Sequence, residues 1–251
     1  MGLFNLFEKK SCSVCGGEIG LLGNRKLEDG NLCKSCAAKL SPWFSERRGS
    51  TVAQIREQLH DREENQKAVA QLHVTRSLGE RTKLLIDEDA GKFVVTSARS
   101  LTEANPDVLD FSMVTGADLD IDEDRDEAQA KDAQNHYVSY DPPRYNYSYD
   151  FYVVIQVNHP WFNEIRFRLN PSSVTTTASA VPERHRPDPK RNAEYIKYEK
   201  LGREMVELLT RGRQQSREEA APKKALTCPA CGATDLPDAQ GRCQYCGKPL
   251  A

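Results

Sequence analysis

The chain has 251 residues, 38% of them hydrophobic and 29% charged, with a formal net charge of -2 and a mean hydropathy of -0.66. Any core is therefore modest and the surface heavily solvated, which suits one ordinary domain with small modules attached. No run of about 18 apolar residues occurs, so no segment reads as a membrane span.

In chain order, "MGLFNLFEKK" opens with an apolar patch too short for a signal-peptide core, and Leu6 stands where myristoylation wants Ser or Thr. A reducing, cytoplasmic location is the expectation. "CSVCGGEIGLLGNRKLEDGNLCKSC" then sets Cys12, Cys15, Cys33 and Cys36 around two short strands joined at Asp29-Gly30. "AAKL" after Cys36 reads as a helix start, giving the order of a treble clef over residues 11 to 49.

Residues 50 to 80 read as a helical connector. Ser50 or Thr51 can cap a helix over 51 to 72, with Val52, Ile55 and Leu59 at helical spacing. The stripe lapses at "HDREENQK" and resumes with Ala68, Val69 and Leu72. One lightly buried face is expected.

Residues 81 to 213 read as a β-rich domain with a C-terminal amphipathic helix, the strand period beginning near Lys83. "KLLID" and "KFVVT" form a hairpin, and "FSMVTGADLDIDED" supplies one or two strands with a turn at Gly116. The acidic run that follows lacks the Gly and Glu of a calcium loop, since Glu123 and Gln129 occupy those positions, so it reads as a solvated loop. From Tyr145 to Val157 the odd positions are all aromatic or β-branched, the alternation of a strand with one apolar face.

Past the turn "NHPWFN", Ile165, Phe167 and Leu169 continue the same face in a second strand. Trp161 and Phe162 in that turn are either a lid folded back on the core or an exposed anchor for a partner. Ser172 to Pro189 looks disordered, and "NAEYIKYEKLGREMVELLTRG" is an amphipathic helix ending near Gly212. Strands closed by one helix are the order of PH-like barrels, a match by pattern alone. Gln214 to Lys224 has no apolar period and is expected to be a mobile tether within a linker over 214 to 226. The last module, 227 to 251, carries Cys228, Cys231, Cys243 and Cys246 in two matching turns, as in a zinc ribbon.

All 8 cysteines fall in Cys-x-x-Cys pairs, none is left over, and no secretion signal is visible. That combination points to two structural zinc ions with four cysteines each. Four protein ligands fill the coordination shell, which argues against hydrolytic zinc chemistry.

The stretch "CSVCGGEIGLLGNRKLEDGNLCKSCAAKLSPWF" resembles the four-cysteine N-terminal domain of a family of uncharacterised bacterial proteins. The resemblance continues more softly through "STVAQIREQLHDREENQKAVAQL" to "TRSLGERTKLLIDEDAGKFVVT". It implies zinc and a bacterial cytoplasm, and no activity.

The five histidines are scattered, and no phosphate loop, nucleophile elbow or dinucleotide fingerprint occurs, so no enzyme is expected. Acidic side chains outnumber basic ones about two to one in residues 81 to 175, against phosphate binding there. The six crowded tyrosines from Tyr137 to Tyr152 are read as core packing before base stacking. The sequence thus describes an α+β protein with zinc modules at both ends and a protein partner. Its alternatives are nucleic-acid binding through Lys9, Lys10, Lys34, Lys39, Arg47 and Arg48, and peripheral membrane contact through "MGLFNLF" and the PH-like domain.

Overall fold

The computed structural model describes residues 10 to 176, 186 to 221, 225 to 238 and 240 to 249. They divide into two compact units, Met1–Arg213 and Gln214–Ala251. In the first, the metal-module strands are β1 (Lys10–Ser11), β2 (Glu18–Ile19), β3 (Arg25–Lys26) and β4 (Asn31–Leu32), paired as two hairpins. The short helix α1 (Lys34–Ala37) follows.

Helix α2 (Val52–Gln71) starts at Thr51 in a reciprocal capping box with Gln54, and Asp29 from the β3–β4 turn also accepts the Val52 N–H at 2.7 Å. Its buried face is Ile55, Gln58, Arg62 and Val69. The apolar stripe therefore does not lapse in the middle; polar side chains continue it. Arg62 pairs with Asp107 at 2.6 Å, the two side chains being 9% and 7% exposed. Arg62 also donates to the carbonyls of Lys39 and Asn105, and Asp107 receives the Ser41 hydroxyl at 2.8 Å. Asn65 closes the network on Asn105, Pro106 and Val108. The connector is a packed element holding the metal module against the loop that follows helix α3 (Leu101–Ala104).

Two open antiparallel sheets make up the β-rich part. One has the order β5 (Arg76–Leu78), β6 (Lys83–Asp87), β7 (Lys92–Thr96), β8 (Leu109–Asp110). The other is built on β10 (Tyr137–Val157), which pairs with β9 (Val114–Lys131), β11 (Glu164–Arg168) and β12 (Val174–Thr175). Both sheets are open among the described residues.

The alternation over 145 to 157 gives one strand, and its odd residues from Tyr147 onward are buried. The acidic run, however, is a strand and not a loop, and Gly116 lies within it opposite Gln156. Leu119 and Ile121 face inward opposite Val153 and Phe151. Asp120 and Asp122 face outward, where Arg166 crosses the Tyr152 ring to reach both. Cross-strand pairing thus makes the charges compatible with a strand. Val174 is buried in β12, inside the stretch expected to be disordered; residues 177 to 185 of that stretch lie outside the described residues.

Helix α4 (Ala193–Ala220) begins at Asn192, whose side chain accepts the N–H groups of Glu194 and Tyr195. It buries Tyr195, Tyr198, Met205, Leu208 and Leu209 against the core shared by both sheets. Tyr195 meets Tyr149 and Phe151 edge-on at 5.0 Å. The helix does not end near Gly212. It continues to Ala220 with Gln214–Glu218 and Gln215–Glu219 pairs, so the first part of the expected tether is helical. Residues 222 to 224 lie outside the described residues.

Gly212 sits in the helix because a Cβ there would come within 2.6 Å of the Phe111 ring. Gly212→Ala gains about 1 kcal/mol of helix propensity but forces a rigid, buried ring to move, at about 1–3 kcal/mol. The expected outcome is a lower melting temperature. A rise would mean the ring yields freely.

The "HPWF" turn folds back. Phe162 is buried and stacks on His159 at 4.1 Å, and the Trp161 indole N–H donates to Asp61 of α2 at 2.8 Å. Burial holds the His159 pKa below its usual value, while Asp107 and Asp61 pull the other way. Of the two readings of this turn, the geometry is that of a lid.

Candidate metal centres

Three of the four Cys-x-x-Cys pairs form the same tight loop. Gly16, Gly232 and Gly247 each donate to the carbonyl of the pair's first cysteine at 2.8 Å, with φ of 73°, 74° and 68°. That left-handed backbone costs about 1–2 kcal/mol for a residue with a Cβ, hence the glycines. The fourth pair is built otherwise: Cys33 is the N-cap of α1 and its sulfur accepts the Cys36 N–H at 3.4 Å. Ala37, inside a right-handed helix, needs no such freedom.

These loops bring the predicted ligands together in two sets. Cys12, Cys15, Cys33 and Cys36 form one, and Cys228, Cys231, Cys243 and Cys246 the other, with all four sulfurs of each set within 4.8 Å of one another. Cys15 and Cys33 sulfurs are 3.8 Å apart, and the Cys228–Cys246 and Cys231–Cys243 distances are 3.6 Å. A disulfide would need about 2.05 Å, and all eight cysteines are free. A tetrahedron of metal–thiolate bonds of about 2.3 Å has edges of about 3.8 Å. The spacing is that of ligands around a common centre, and two metal sites follow.

The electrostatics point the same way. Burial alone would push the Cys12 thiol up, but the backbone N–H groups of Cys15, Cys33 and Val14 outweigh it and bring it down to about 6. In the C-terminal set the N–H groups of Ala230 and Cys231 bring Cys228 to about 6. Cys36 moves strongly upward, from burial first and then from the three neighbouring sulfurs. In the N-terminal set the same cluster thus pulls one thiol down and pushes another up, a conflict that a cation at the centre removes. Half of the ligands are buried (Cys12, Cys36, Cys228, Cys243), so each centre is closed on one side only. Cys228 and Cys243 are the buried pair of their small module.

Among the basic residues singled out by sequence, Lys10, Lys34 and Lys39 are exposed and dispersed, and Lys9 lies outside the described residues. Arg47 and Arg48, on a short 3-10 turn, meet Arg25 and Lys26 of β3 around one hollow, a grouping the sequence reading missed. Only the β3–β4 hairpin folding back onto residues 47 to 49 creates it; Arg47 donates to the Lys26 carbonyl at 2.8 Å. The crowded tyrosines separate, with Tyr147 and Tyr149 in the core and Tyr137 67% exposed.

The model of a domain of unknown function (DUF4428) matches residues 10 to 58. That span covers β1 to β4, α1, the first metal site and the opening turns of α2, and it brings no activity with it. No curated protein and no solved structure matches the chain. No helix among the described residues is long and apolar enough to cross a membrane.

Proposed function

We propose that this is a non-catalytic, zinc-stabilised interaction protein of the bacterial cytoplasm, each cysteine set holding one structural Zn(II). The observation behind this reading is the closed set of four sulfurs within 4.8 Å at each end. An all-thiolate tetrahedron is the donor set structural zinc prefers, and four protein ligands leave no position for a catalytic water. In the N-terminal module a tight loop, a hairpin and a second pair at a helix N-terminus follow one another, the order of a treble clef. In the C-terminal module the first cysteine loop joins the short strands β13 (Leu226–Thr227) and β14 (Thr234–Asp235), and a matching second loop follows them, as in a zinc ribbon. Two antiparallel sheets followed by α4 keep the element order of a PH-like domain, and α4 marks its end. Rigid small modules of this kind serve as recognition surfaces, and the partner class is protein.

The metal assignment has a direct test. Protein purified under reducing conditions should carry two zinc ions per chain by elemental analysis. A thiol reagent should release them in two separable steps. One ion or none, or a different metal at stoichiometric level, would refute the assignment. Cross-linking in native cytosol with a nuclease-treated arm then tests the partner class, since a nucleic-acid bridge would vanish in that arm.

A further inference from the structure

Between β2 and β3 the chain makes a turn closed by the Gly23 N–H on the Gly20 carbonyl at 2.9 Å. Leu21 and Leu22 occupy its two central positions and are 88% and 89% exposed. The other leucines of the module, Leu27, Leu32 and Leu40, are buried. A two-residue turn ordinarily carries Gly, Asn or Asp, because its tip faces water. Among the described residues, these two adjacent leucines at the apex of the turn belong to no packed apolar cluster.

Cations stand immediately behind the tip. The Arg25 guanidinium points at the carbonyls of Leu22 and Asn24, at 3.4 Å from each. Arg25, Lys26, Arg47 and Arg48 line one hollow of about 750 Å³, with Glu28 as its one acidic side chain. Among the described residues none of the four cations takes part in an ion pair. The Arg47 pKa lies below its usual value, from burial and then from the charges of Arg25 and Arg48, as expected of cations held together without a counter-ion.

We propose that this tip docks on an anionic membrane surface, with Leu21 and Leu22 in the outer acyl layer and Arg25, Lys26, Arg47 and Arg48 among the lipid phosphates. The order of the chemistry selects this occupant. A soluble anion would use the cations and leave both leucines in water. A protein groove would take the leucines but need acidic groups at its rim to meet the cations. A bilayer with acidic lipids offers an apolar layer behind a negative one, matching an apolar apex backed by cations. Long arginine and lysine side chains can hold their stems toward the acyl region and their charges in the headgroups. One tip of this size gives reversible contact rather than permanent anchoring. The proposal goes beyond the zinc-stabilised interaction reading and is independent of which protein the chain engages.

The test is flotation of the purified full chain with phosphatidylcholine vesicles, with and without phosphatidylserine. Binding is expected only where phosphatidylserine is present, and it should weaken as salt rises. The Leu21→Ser, Leu22→Ser double variant should lose about tenfold or more in affinity at an unchanged melting temperature, and Arg47→Gln with Arg48→Gln a similar factor. Zinc content measured on the same samples separates loss of lipid contact from loss of the module itself. A double variant that floats as well as the parent overturns the proposal, as does a parent that ignores both vesicles. Full competition by millimolar inorganic phosphate with no effect of the leucine changes would mean a simple anion site. A large fall in melting temperature of the leucine variant would mean the pair is covered by the protein's own chain, which also overturns it.

Discussion

Cys33→Ser is expected to leave the chain with one metal ion in place of two and to unfold the N-terminal module. Cys33 joins three parts of the module. Its N–H donates to the Cys12 sulfur at 3.3 Å, its own sulfur caps α1, and it lies 3.8 Å from the Cys15 sulfur. Serine keeps the capping chemistry, so what the change removes is the metal ligand: a hydroxyl is a poor donor for a soft ion. The module has little else: its buried core is Ile19, Leu27, Leu32, Leu40 and Ile55 with two of the cysteines. Metal binding to sites of this kind is worth about 10–16 kcal/mol, most of which is folding free energy. Elemental analysis and amide hydrogen exchange over residues 10 to 50 check the result. Retention of both ions with native protection would show that the module does not depend on its fourth sulfur. Cys243→Ser, in the other compact unit, should strip the C-terminal site and leave protection of residues 10 to 50 untouched.

Arg62→Met should cost about 3–5 kcal/mol, because it leaves the Asp107 carboxylate buried with only the Ser41 hydroxyl as partner. Adding Asp107→Leu should recover much of that loss, since an apolar pair of similar volume does not need its charges satisfied. Urea unfolding of the single and double variants measures both. A single-variant loss under about 1 kcal/mol would mean that water reaches the carboxylate.

The parts of this molecule that sequence revealed are those where one residue type has one physical use. A Cys-x-x-Cys pair has few purposes, and the grouping of the cysteines into two sets of four was legible. The β10 alternation was legible because only one face of that sheet is dry. The central turns of α2 were not, because Gln58, Arg62 and Asn65 carry no periodic apolar signal, and their burial depends on the loop at 105 to 108. The first half of β9 was expected as strand, but its continuation past Asp124 was hidden, because Arg125 to Glu127 are exposed and are held only by pairing with β10. Gly212 misled in a different way. It reads as a stop signal, yet its purpose is a close approach to Phe111 that no local pattern encodes. Asn170 gave no signal at all. It is 2% exposed and holds Phe151, Tyr149 and Ser172 through its amide, a pairing set only by the hairpin.

The Asp107 carboxylate ties the N-terminal module to the helix that follows it. It takes one partner from the metal module and one from α2, while Arg62 also holds the Lys39 carbonyl at 3.2 Å. The segment Lys39 to Ser41, which follows the Cys36 ligand, thus shares its contacts with the 105 to 108 loop that leads into β8. Two equilibria that share atoms are thermodynamically linked, and the linkage is symmetric. Whatever factor the bound ion contributes to keeping the 105 to 108 loop closed, the closed loop returns to the affinity for the ion. Binding at the N-terminal cysteine set is therefore expected to raise the stability of the 105 to 108 loop by the same factor.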